Sequence, residues 1–573
     1  MRAADGYAGN VVATARSGHA WLVPLGLWIS LTVSCLILSG SKTFWNDELF
    51  SYYLVSDPSF RGMLAAFADK INNSPIVYFV TGWLWAQAFG ASELSLRLFS
   101  SFGVSAAALL TWVMLRRQYG SWPASLATVC VFGFSILILL QNVEARMYGL
   151  YLALAALAII QFDRLQRDQT CSTAAAVAIA CTHAALLHTH LYGIFYSATI
   201  VAGGVLVDWC RGRWQPRVYF AVSAAWLSLL AYIPTFLVQA DAGRPRTWIP
   251  PPTIGDLAYF YTFELRYVSV VLVALASVYL WRRYRHRSAF ARPHLDRATV
   301  RSLLVTRPTL ALACLILLVP IGVWLVSLTV KPIFYNRYML PSLLGAAVVI
   351  AHLLAAFDTA IRRRDAAGTR QARGPLASVS RLYRMPVLRA ATLAFLLAGP
   401  AAGPLLFPPS WGWSSISDYD QGHAELPIVV QFSNTFLRHL HYAPRPDRYV
   451  YLLDWETAAA PESGTFPPQE YKHMEALLRQ YPERFAGQIV SSETFVAEHD
   501  RFLVIDYAVY DYPCDHGSPW YSLERNLDRW DERLQCPRWL EERILPDARY
   551  QVRELAHLVD GSWVMLLVER TGP

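Results

Sequence analysis

The stretch Phe44-Trp45-Asn46-Asp47-Glu48-Leu49-Phe50 places two adjacent carboxylates just after the first long apolar run of the chain. That run, Trp21 to Leu38, is close to the length of a helix that crosses a bilayer. Arg2 and Arg16 precede it and no small-residue cleavage site stands out, so we expect a retained first span rather than a signal peptide. The side on which the two carboxylates emerge therefore decides how the rest of the chain is organised.

The composition of the chain is that of a membrane protein. Of its 573 residues, 54% are hydrophobic and only 16% are charged, whereas soluble domains contain about 25% charged residues. Apolar runs of about 20 residues recur along the chain, which predicts a polytopic α-helical membrane protein. The formal net charge of +8 is explained by arginine-rich loops that we place in the cytoplasm, so we do not expect a nucleic-acid partner.

The run from Pro75 to Phe89 decides the topology. It is shorter than a full span and rich in the Trp and Tyr residues typical of membrane interfaces. If it crosses the membrane, the arginine pair Arg116-Arg117 falls outside; if it lies flat, the basic loops all fall inside. The positive-inside rule favours the flat interpretation, with an amphipathic interfacial helix beginning at Pro58 just before it.

The remaining apolar runs then alternate across the membrane as about eleven spans. The predicted spans are 21–39, 98–115, 122–140, 149–162, two within 174–207 that separate near His188, 218–238, 267–281, 310–329, 339–357 and 387–407. Residues 1–20 are then cytoplasmic, and 42–97 form the first extracytoplasmic loop of a membrane domain that covers 21–407.

Residues 408–573 have the composition of a soluble domain. Strands alternate with helices there, which predicts a small α/β domain on the extracytoplasmic side. The predicted strands are Tyr449–Asp454, Arg501–Asp506 and Ser562–Glu569, and the predicted helices are Pro468–Tyr481 and Leu523–Leu534. Cys514 and Cys536 lie in this region, and a disulfide and two free thiols are equally compatible with the sequence.

Four polar clusters fall at the extracytoplasmic ends of the predicted spans. They are Asp47 with Glu48; Glu144 with Arg146 and Tyr148; His188 with His190 and Tyr192; and Arg337 with Tyr338. An isolated ionisable residue at a span end often only reaches out to water. Four clusters on one side of the membrane favour a shared site.

The residue types in these clusters suit acid–base chemistry on a phosphorylated substrate. Asp47, next to aromatic residues, fits a partly desolvated general base, although an exposed acidic loop fits the dipeptide equally well. Arg337, in a tight loop between two spans, suits a bidentate phosphate contact. Arg146 is either a second phosphate contact or the ion-pair partner of Glu144.

The two histidines leave three interpretations open. His188 and His190 could bind a metal, donate hydrogen bonds to a phosphate, or cap the end of a span. No third and fourth ligands accompany them at a clear spacing, so a divalent metal is a possible cofactor and not a firm expectation.

These residues, in this order and spacing, resemble the GT-C superfamily of glycosyltransferases. The resemblance is to the branch of the dolichyl-phosphate-mannose-protein mannosyltransferases, of bacterial family 39/83 type, which includes the lipid A aminoarabinose transferases. It covers roughly residues 20 to 360. The shared features are Asp47-Glu48, two juxtamembrane helices, Glu144-Ala145-Arg146-Met147-Tyr148, His188-x-His190-x-Tyr192-Gly193 and Asn336-Arg337-Tyr338-x-x-Pro341.

The resemblance implies a multi-pass enzyme of the bacterial inner membrane. It would transfer a hexosyl or pentosyl group from a polyprenyl-phosphate donor, with inversion, to lipid A or lipopolysaccharide core, to a surface glycan or to a protein hydroxyl. Asp47 would remove the acceptor proton, and Glu48 would position the acceptor or tune Asp47. Arg337, with Arg146 and His190, would stabilise the departing phosphate.

The chain departs from this branch at one position. The lipid A enzymes have a lysine where the second juxtamembrane helix begins, whereas this chain has Asn72-Asn73-Ser74-Pro75. Lys70 is the nearest cation and becomes the candidate phosphate contact of this loop.

Two other classes of protein remain alternatives. A lipid-linked sugar flippase should carry polar groups at mid-span, between matching halves, and the clusters here lie at span ends. A binding or scaffold protein centred on the C-terminal domain would make Asp47 dispensable.

Overall fold

The computed structural model describes most of the chain. The described residues are 21–234, 237, 249, 252–285, 297–366, 385–407, 415–458, 466–507, 539–558 and 563–572. The predicted cytoplasmic segment 1–20, the predicted helix Leu523–Leu534, and Cys514 with Cys536 lie outside them.

Apolar helices packed side by side form the membrane part. Because a bilayer offers no hydrogen-bond partners, their backbones are satisfied within each helix. In chain order the helices are α1 (Leu22–Ser39), α2 (Asn46–Val55), α3 (Phe60–Ala68), α4 (Ile76–Phe89), α5 (Glu93–Tyr119), α6 (Ser121–Phe134), α7 (Ile136–Gln141), α8 (Tyr148–Asp168), α9 (Thr173–Thr189), α10 (Gly193–Arg211), α11 (Pro216–Leu227), α12 (Ile254–Tyr259), α13 (Arg266–Arg285), α14 (Arg297–Thr306), α15 (Pro308–Thr329), α16 (Ser342–Ala366) and α17 (Pro386–Leu406).

Among the described residues, seven helices are long and apolar enough to cross a membrane. They are α1, α5, α8, α10, α15, α16 and α17. An eighth span arises if α12 and α13, bent by 82° at their junction, count as one. A polytopic helical membrane protein is thus confirmed. Helices also occupy the other predicted positions, but α6 and α9 are shorter, so the figure of eleven spans stays a prediction.

The first loop between spans is more ordered than the sequence predicted. Residues 46–55, interpreted as a loop, form the helix α2. The amphipathic helix is present as α3, where the Ser59 hydroxyl accepts the Gly62 N–H at 2.8 Å and so caps its start. The run that decided the topology is α4, whose 14 residues reach about 21 Å and fall short of a bilayer core.

The C-terminal region folds around one six-stranded sheet. Its strands lie in the order β3-β2-β1-β4-β6-β5; β1 to β4 pair in parallel, and β6 is antiparallel to both of its neighbours, β4 and β5. The strands are β1 (Ile428–Val430), β2 (Tyr449–Leu453), β3 (Ile489–Ser491), β4 (Arg501–Tyr507), β5 (Tyr550–His557) and β6 (Trp563–Arg570), and the helices are α18 (Ser433–Tyr442), α19 (Trp455–Ala458), α20 (Phe466–Gln480), α21 (Pro482–Phe485) and α22 (Ser492–Glu498). The small C-terminal α/β fold is confirmed.

Three strands escaped the sequence prediction for physical reasons. β1 and β3 have only three residues each, too few to show a period of two. β5, Tyr550–His557, lies at the sheet edge with mostly exposed polar side chains, so it lacks an apolar run. The three strands predicted from apolar runs are all present.

The sheet domain packs directly on the first loop of the membrane part. The Tyr481 hydroxyl donates to the Tyr53 carbonyl at 2.9 Å, and His473 donates through Nδ1 to the Lys70 carbonyl at 2.7 Å. Arg479 pairs with Asp69 at 2.8 Å. The two parts of the chain are therefore joined by side-chain contacts as well as by the polypeptide.

Glu470 generates a prediction about stability and pH. Its carboxylate is buried and accepts hydrogen bonds from the Tyr451 hydroxyl at 3.0 Å and from the Ser433 N–H. Burial raises the pKa of Glu470 from 4.5 to about 7. The folded state therefore binds more protons than the unfolded state between these two values, and stability falls as the pH rises through that window.

We therefore expect Glu470→Gln to remove this dependence. From about pH 5 to about pH 8 the melting temperature of the wild-type protein should fall relative to that of Glu470→Gln. The exposed Glu498→Gln serves as control and should follow the wild type. Parallel curves for wild type and Glu470→Gln would contradict the inferred pKa.

Candidate active site

The site is built on the first turn of α2. Trp45 precedes the helix in an extended conformation and offers no side-chain acceptor to cap it. Glu48 takes over, and its Oε2 accepts the Trp45 N–H at 3.3 Å. Asp47 and Glu48 both lie in the first helical turn, where carboxylates interact favourably with the helix dipole.

Glu48 is a buried anchor. Its side chain is fully buried, and its two oxygens accept from Arg97 Nε at 3.2 Å and Arg97 Nη2 at 3.1 Å. Glu48 Oε1 also accepts the Ala145 N–H at 2.7 Å, and Arg97 Nη1 donates to the Lys42 carbonyl at 2.6 Å. This carboxylate is thus enclosed by protein, and the expected role of Glu48, to position the acceptor or tune Asp47, stays a prediction.

Asp47, the residue just before Glu48, has the opposite environment. Its side chain is 28% exposed, and its Oδ2 lies 3.0 Å from Arg337 Nη2 and 3.6 Å from Arg146 Nη2. A partly exposed carboxylate held by one oxygen keeps the other oxygen accessible to an incoming group. Both guanidinium groups approach the same oxygen, Oδ2.

Arg146 connects α2 to the loop before α8. Its Nη1 donates to the Asp47 carbonyl at 3.0 Å and to Ser51 Oγ at 2.8 Å, and its Nη2 donates to Ser74 Oγ at 3.3 Å. The predicted alternative of an Arg146–Glu144 ion pair is wrong. Glu144 instead lies 3.5 Å from Lys42, and burial raises the pKa of Glu144 above its usual value.

Arg337 lies in a cage of aromatic rings. Its guanidinium lies 5.1 Å from the Trp45 ring, 5.0 Å from Tyr335, 5.6 Å from Tyr148 and 5.8 Å from Tyr338. Cation–π attraction of this kind strengthens when the cation is desolvated, and the Arg337 side chain is only 13% exposed. Arg337, Tyr148 and Tyr338 were predicted site residues, whereas the ring contacts of Trp45 and Tyr335 were not predicted.

His190 and Tyr192 extend the aromatic wall. The His190 ring stacks on Tyr151 at 4.8 Å, and its Nδ1 accepts the Tyr192 N–H at 3.2 Å. Burial, and then the charges of Arg146 and Arg337, lower the pKa of His190 to about 3. His190 is therefore neutral and carries its hydrogen on Nε2, so it can donate one hydrogen bond but adds no positive charge to the site.

Two predicted site residues are engaged elsewhere. His188 Nε2 lies 2.9 Å from Ser228 Oγ, and Lys70 Nζ lies over the Phe67 ring at 5.7 Å. Within the described part of the chain, no three His, Cys, Asp or Glu side chains form a group that could hold a metal ion. The metal alternative for His188 and His190 thus finds no third ligand there.

Unpartnered polar atoms gather around Asp47. Among the described residues, the buried atoms without a hydrogen-bond partner include Trp45 Nε1, Arg146 Nε, Tyr148 Oη and Arg337 Nε. Each such atom costs about 1–3 kcal/mol if nothing satisfies it. All four are donors, and the two arginines outnumber Asp47 in charge, so the arrangement suits an anionic ligand. We call Trp45, Asp47, Arg146, Tyr148 and Arg337 the Asp47 cluster.

Comparison with known proteins shows the fold. No protein-family model matches the chain, and no curated protein matches it in sequence. ArnT from Cupriavidus metallidurans bound to undecaprenyl phosphate aligns with a TM-score of 0.52 and 12% identity, covering 96% of this chain and 98% of ArnT. ArnT in the apo state aligns with a TM-score of 0.52 and 12% identity over 97% and 100% of the two chains. The predicted GT-C fold is thus confirmed, and at this identity the likeness establishes the fold alone.

Breaking the buried ion pair beneath the site should destabilise the protein strongly. Arg97→Met leaves the Glu48 carboxylate buried without its cation, at a cost of about 3–5 kcal/mol. We expect a clearly lower melting temperature in detergent. The matched control is Arg445→Met, which removes an exposed pair with Asp447, a kind of pair worth about 0–1 kcal/mol. Equal losses in the two variants would contradict the anchoring role of Arg97.

Proposed function

We propose that this protein is a membrane glycosyltransferase that moves a sugar from a polyprenyl-phosphate donor to an acceptor hydroxyl. The observation that carries the proposal is the partly exposed Asp47 carboxylate, held by Arg146 and Arg337 beside four unpartnered buried donors. The fold shared with ArnT, which has been crystallised with undecaprenyl phosphate, supports a lipid-phosphate donor.

The reaction needs one base and one anion site. The acceptor oxygen attacks the anomeric carbon of the sugar and forms the new glycosidic bond. Its proton passes to the Asp47 carboxylate, and the bond from the anomeric carbon to the phosphate oxygen breaks, with the electron pair leaving on the phosphate. Attack on the face opposite the phosphate inverts the anomeric configuration.

Arg337 and Arg146 bind the departing phosphate and stabilise its charge. Charge grows on the phosphate as the bond breaks, and preorganised donors aimed at it lower the barrier. Both arginines have an unpartnered Nε, so they can accept a phosphate while Nη2 still lies near Asp47. Tyr148 and Trp45 add a hydroxyl and an indole N–H to the same donor set.

The orientation of the helices supports an extracytoplasmic site. Three helices begin near the Asp47 cluster: α5 shortly before Arg97, α8 at Tyr148 and α10 at Gly193. The same three helices carry arginines in their last turns, and these are Arg116, Arg117, Arg167 and Arg211. The positive-inside rule puts those ends in the cytoplasm. The Asp47 cluster and the domain from 408 to 573 then lie outside, with 21–407 as the catalytic membrane domain.

The position of the Asp47 cluster relative to the membrane also distinguishes between the two proposed functions, an enzyme and a flippase. A translocation pathway requires polar groups at the midplane of the bilayer. The Asp47 cluster lies at helix ends and in the loops that join them, where a lipid-borne head group meets a water-borne acceptor. This favours transfer over translocation.

The first test of this proposal removes the base. In a strain that lacks the gene, mass spectrometry of envelope glycolipids and glycoproteins should show one missing sugar mass, which identifies sugar and acceptor. The wild-type gene should restore that mass, whereas Asp47→Asn, which keeps the shape but cannot accept the proton, should not. Asp500→Asn, at a 77%-exposed position in the sheet domain, is the matched control and should restore it. Restoration by Asp47→Asn would refute the role of Asp47, and lipid-linked sugar that crosses the membrane without transfer would favour the flippase.

The second test concerns the anion site. We expect Arg337→Gln to lower the rate of sugar transfer by about 100- to 1000-fold, the range seen when one transition-state donor is removed. Native mass spectrometry should show weaker binding of undecaprenyl phosphate to the variant. Arg445→Gln, which removes a half-exposed arginine paired with Asp447, should change neither quantity. Unchanged binding and transfer in Arg337→Gln would exclude the proposed phosphate site.

A further inference from the structure

One helix of the sheet domain, α18, contacts the segment that leads into Asp47. Arg438 Nη2 donates to Thr43 Oγ1 at 2.8 Å, and the Tyr442 hydroxyl accepts the Phe44 N–H at 2.8 Å. The side chain of His441 packs against the ring of Tyr52 at 5.1 Å, on α2 itself. The helix therefore runs beside residues 43 to 46 and the start of α2.

The first turn of α18 contacts the residue directly before Asp47. Asn434 Oδ1 accepts the Asn46 N–H at 3.0 Å, and Ser433 Oγ donates to Asn46 Oδ1 at 3.2 Å. Asn46 is the first residue of α2. Its N–H is one of the donors that a helix leaves without an internal partner.

This contact supplies a helix cap from a distant part of the chain. A helix N-terminus is usually capped by the side chain of its own N-cap residue, but here that residue is Trp45, which has no side-chain acceptor. Glu48 accepts the Trp45 N–H, and Asn434, some 390 residues further along, accepts the next one. Two acceptors therefore satisfy the N–H groups at the start of α2: Glu48, which lies on α2 itself, and Asn434, which lies in the sheet domain.

Ser433 is itself held in place. It is buried at the start of α18, shortly after β1, and its N–H donates to the buried Glu470 carboxylate. Glu470 also accepts from the Tyr451 hydroxyl at 3.0 Å. The position of Ser433 is thus set by the sheet and by α20, so the sheet domain offers Asn46 a rigid partner.

We propose that Ser433 and Asn434 are positioning residues for Asp47, which makes the sheet domain part of the catalytic unit. The inference rests on the proposed role of Asp47 as base. Because Asn46 and Asp47 are adjacent on one helical turn, loss of the α18 contacts lets that turn shift. Misplacement of a catalytic group by about 1 Å can cost about 100-fold in rate.

The experiment uses the full-length protein with Ser433→Ala and Asn434→Leu combined. We expect sugar transfer, measured on the acceptor found in the deletion strain, to fall about tenfold to hundredfold. Binding of undecaprenyl phosphate and the melting temperature should stay at wild-type values, because neither residue touches Arg146 or Arg337. The matched control, Arg501→Gln with Glu569→Gln, removes an exposed pair in the same sheet and should leave all three quantities unchanged.

A third substitution, at Asn46, shows whether Ser433 and Asn434 act through their contact with that residue. Asn46→Ala removes the acceptor for Ser433, so adding it to the double variant should lower transfer no further. Wild-type transfer in the double variant would overturn the inference. A loss of transfer matched by equal losses in lipid binding and melting temperature would overturn it too, because that is the signature of general unfolding.

Asp47→Asn, assayed in parallel, separates the two proposals. If Asp47→Asn is inactive and the double variant is fully active, the positioning role fails and the proposed function stands. If Asp47→Asn is active, the proposed function itself fails.

Discussion

The buried ion pair between Glu48 and Arg97 is the constraint on which the site depends. Both side chains are fully buried, and a buried carboxylate without a cation would cost several kcal/mol. The pair therefore fixes the start of α2 against α5, and through the Ala145 N–H it also fixes the loop before α8. Asp47 owes its position to its neighbour: one carboxylate anchors the turn, and the other can face the ligand.

The charges around Asp47 do not balance within the cluster. Arg146 and Arg337 outnumber the single Asp47 carboxylate, and four buried donors beside them lack partners. Neighbouring groups do not supply the missing negative charge, because Glu144 is paired with Lys42 and its pKa is raised by burial. His190 stays neutral. A phosphate would balance the charge and satisfy the donors.

Much of the fold and part of the site could be predicted from the sequence. The length of an apolar run is a local property of the sequence, and it predicts a membrane helix. The helices of the structure lie where those runs lie. Asp47, Arg146 and Arg337 were assigned to one side of the membrane by topology, and they lie together. Arg97 was missed because it stands at the edge of an apolar run, where an isolated arginine usually reaches out to water. Lys70 was named for its charge; its ammonium group lies over the Phe67 ring, and its role as a phosphate contact stays a prediction.

The class of the molecule could be inferred from the sequence alone, because hydrophobic length and the positions of arginines are local features of the chain. The chemical groups available to the site could be inferred in the same way. How these groups pair depends on the packing of distant segments. Glu48 is enclosed and Asp47 is partly exposed because Arg97 approaches one of two adjacent carboxylates, and no spacing along the chain encodes which one. The cap that Asn434 gives to Asn46 joins residues almost 400 positions apart, and such a contact exists only once the sheet domain has packed against the first loop.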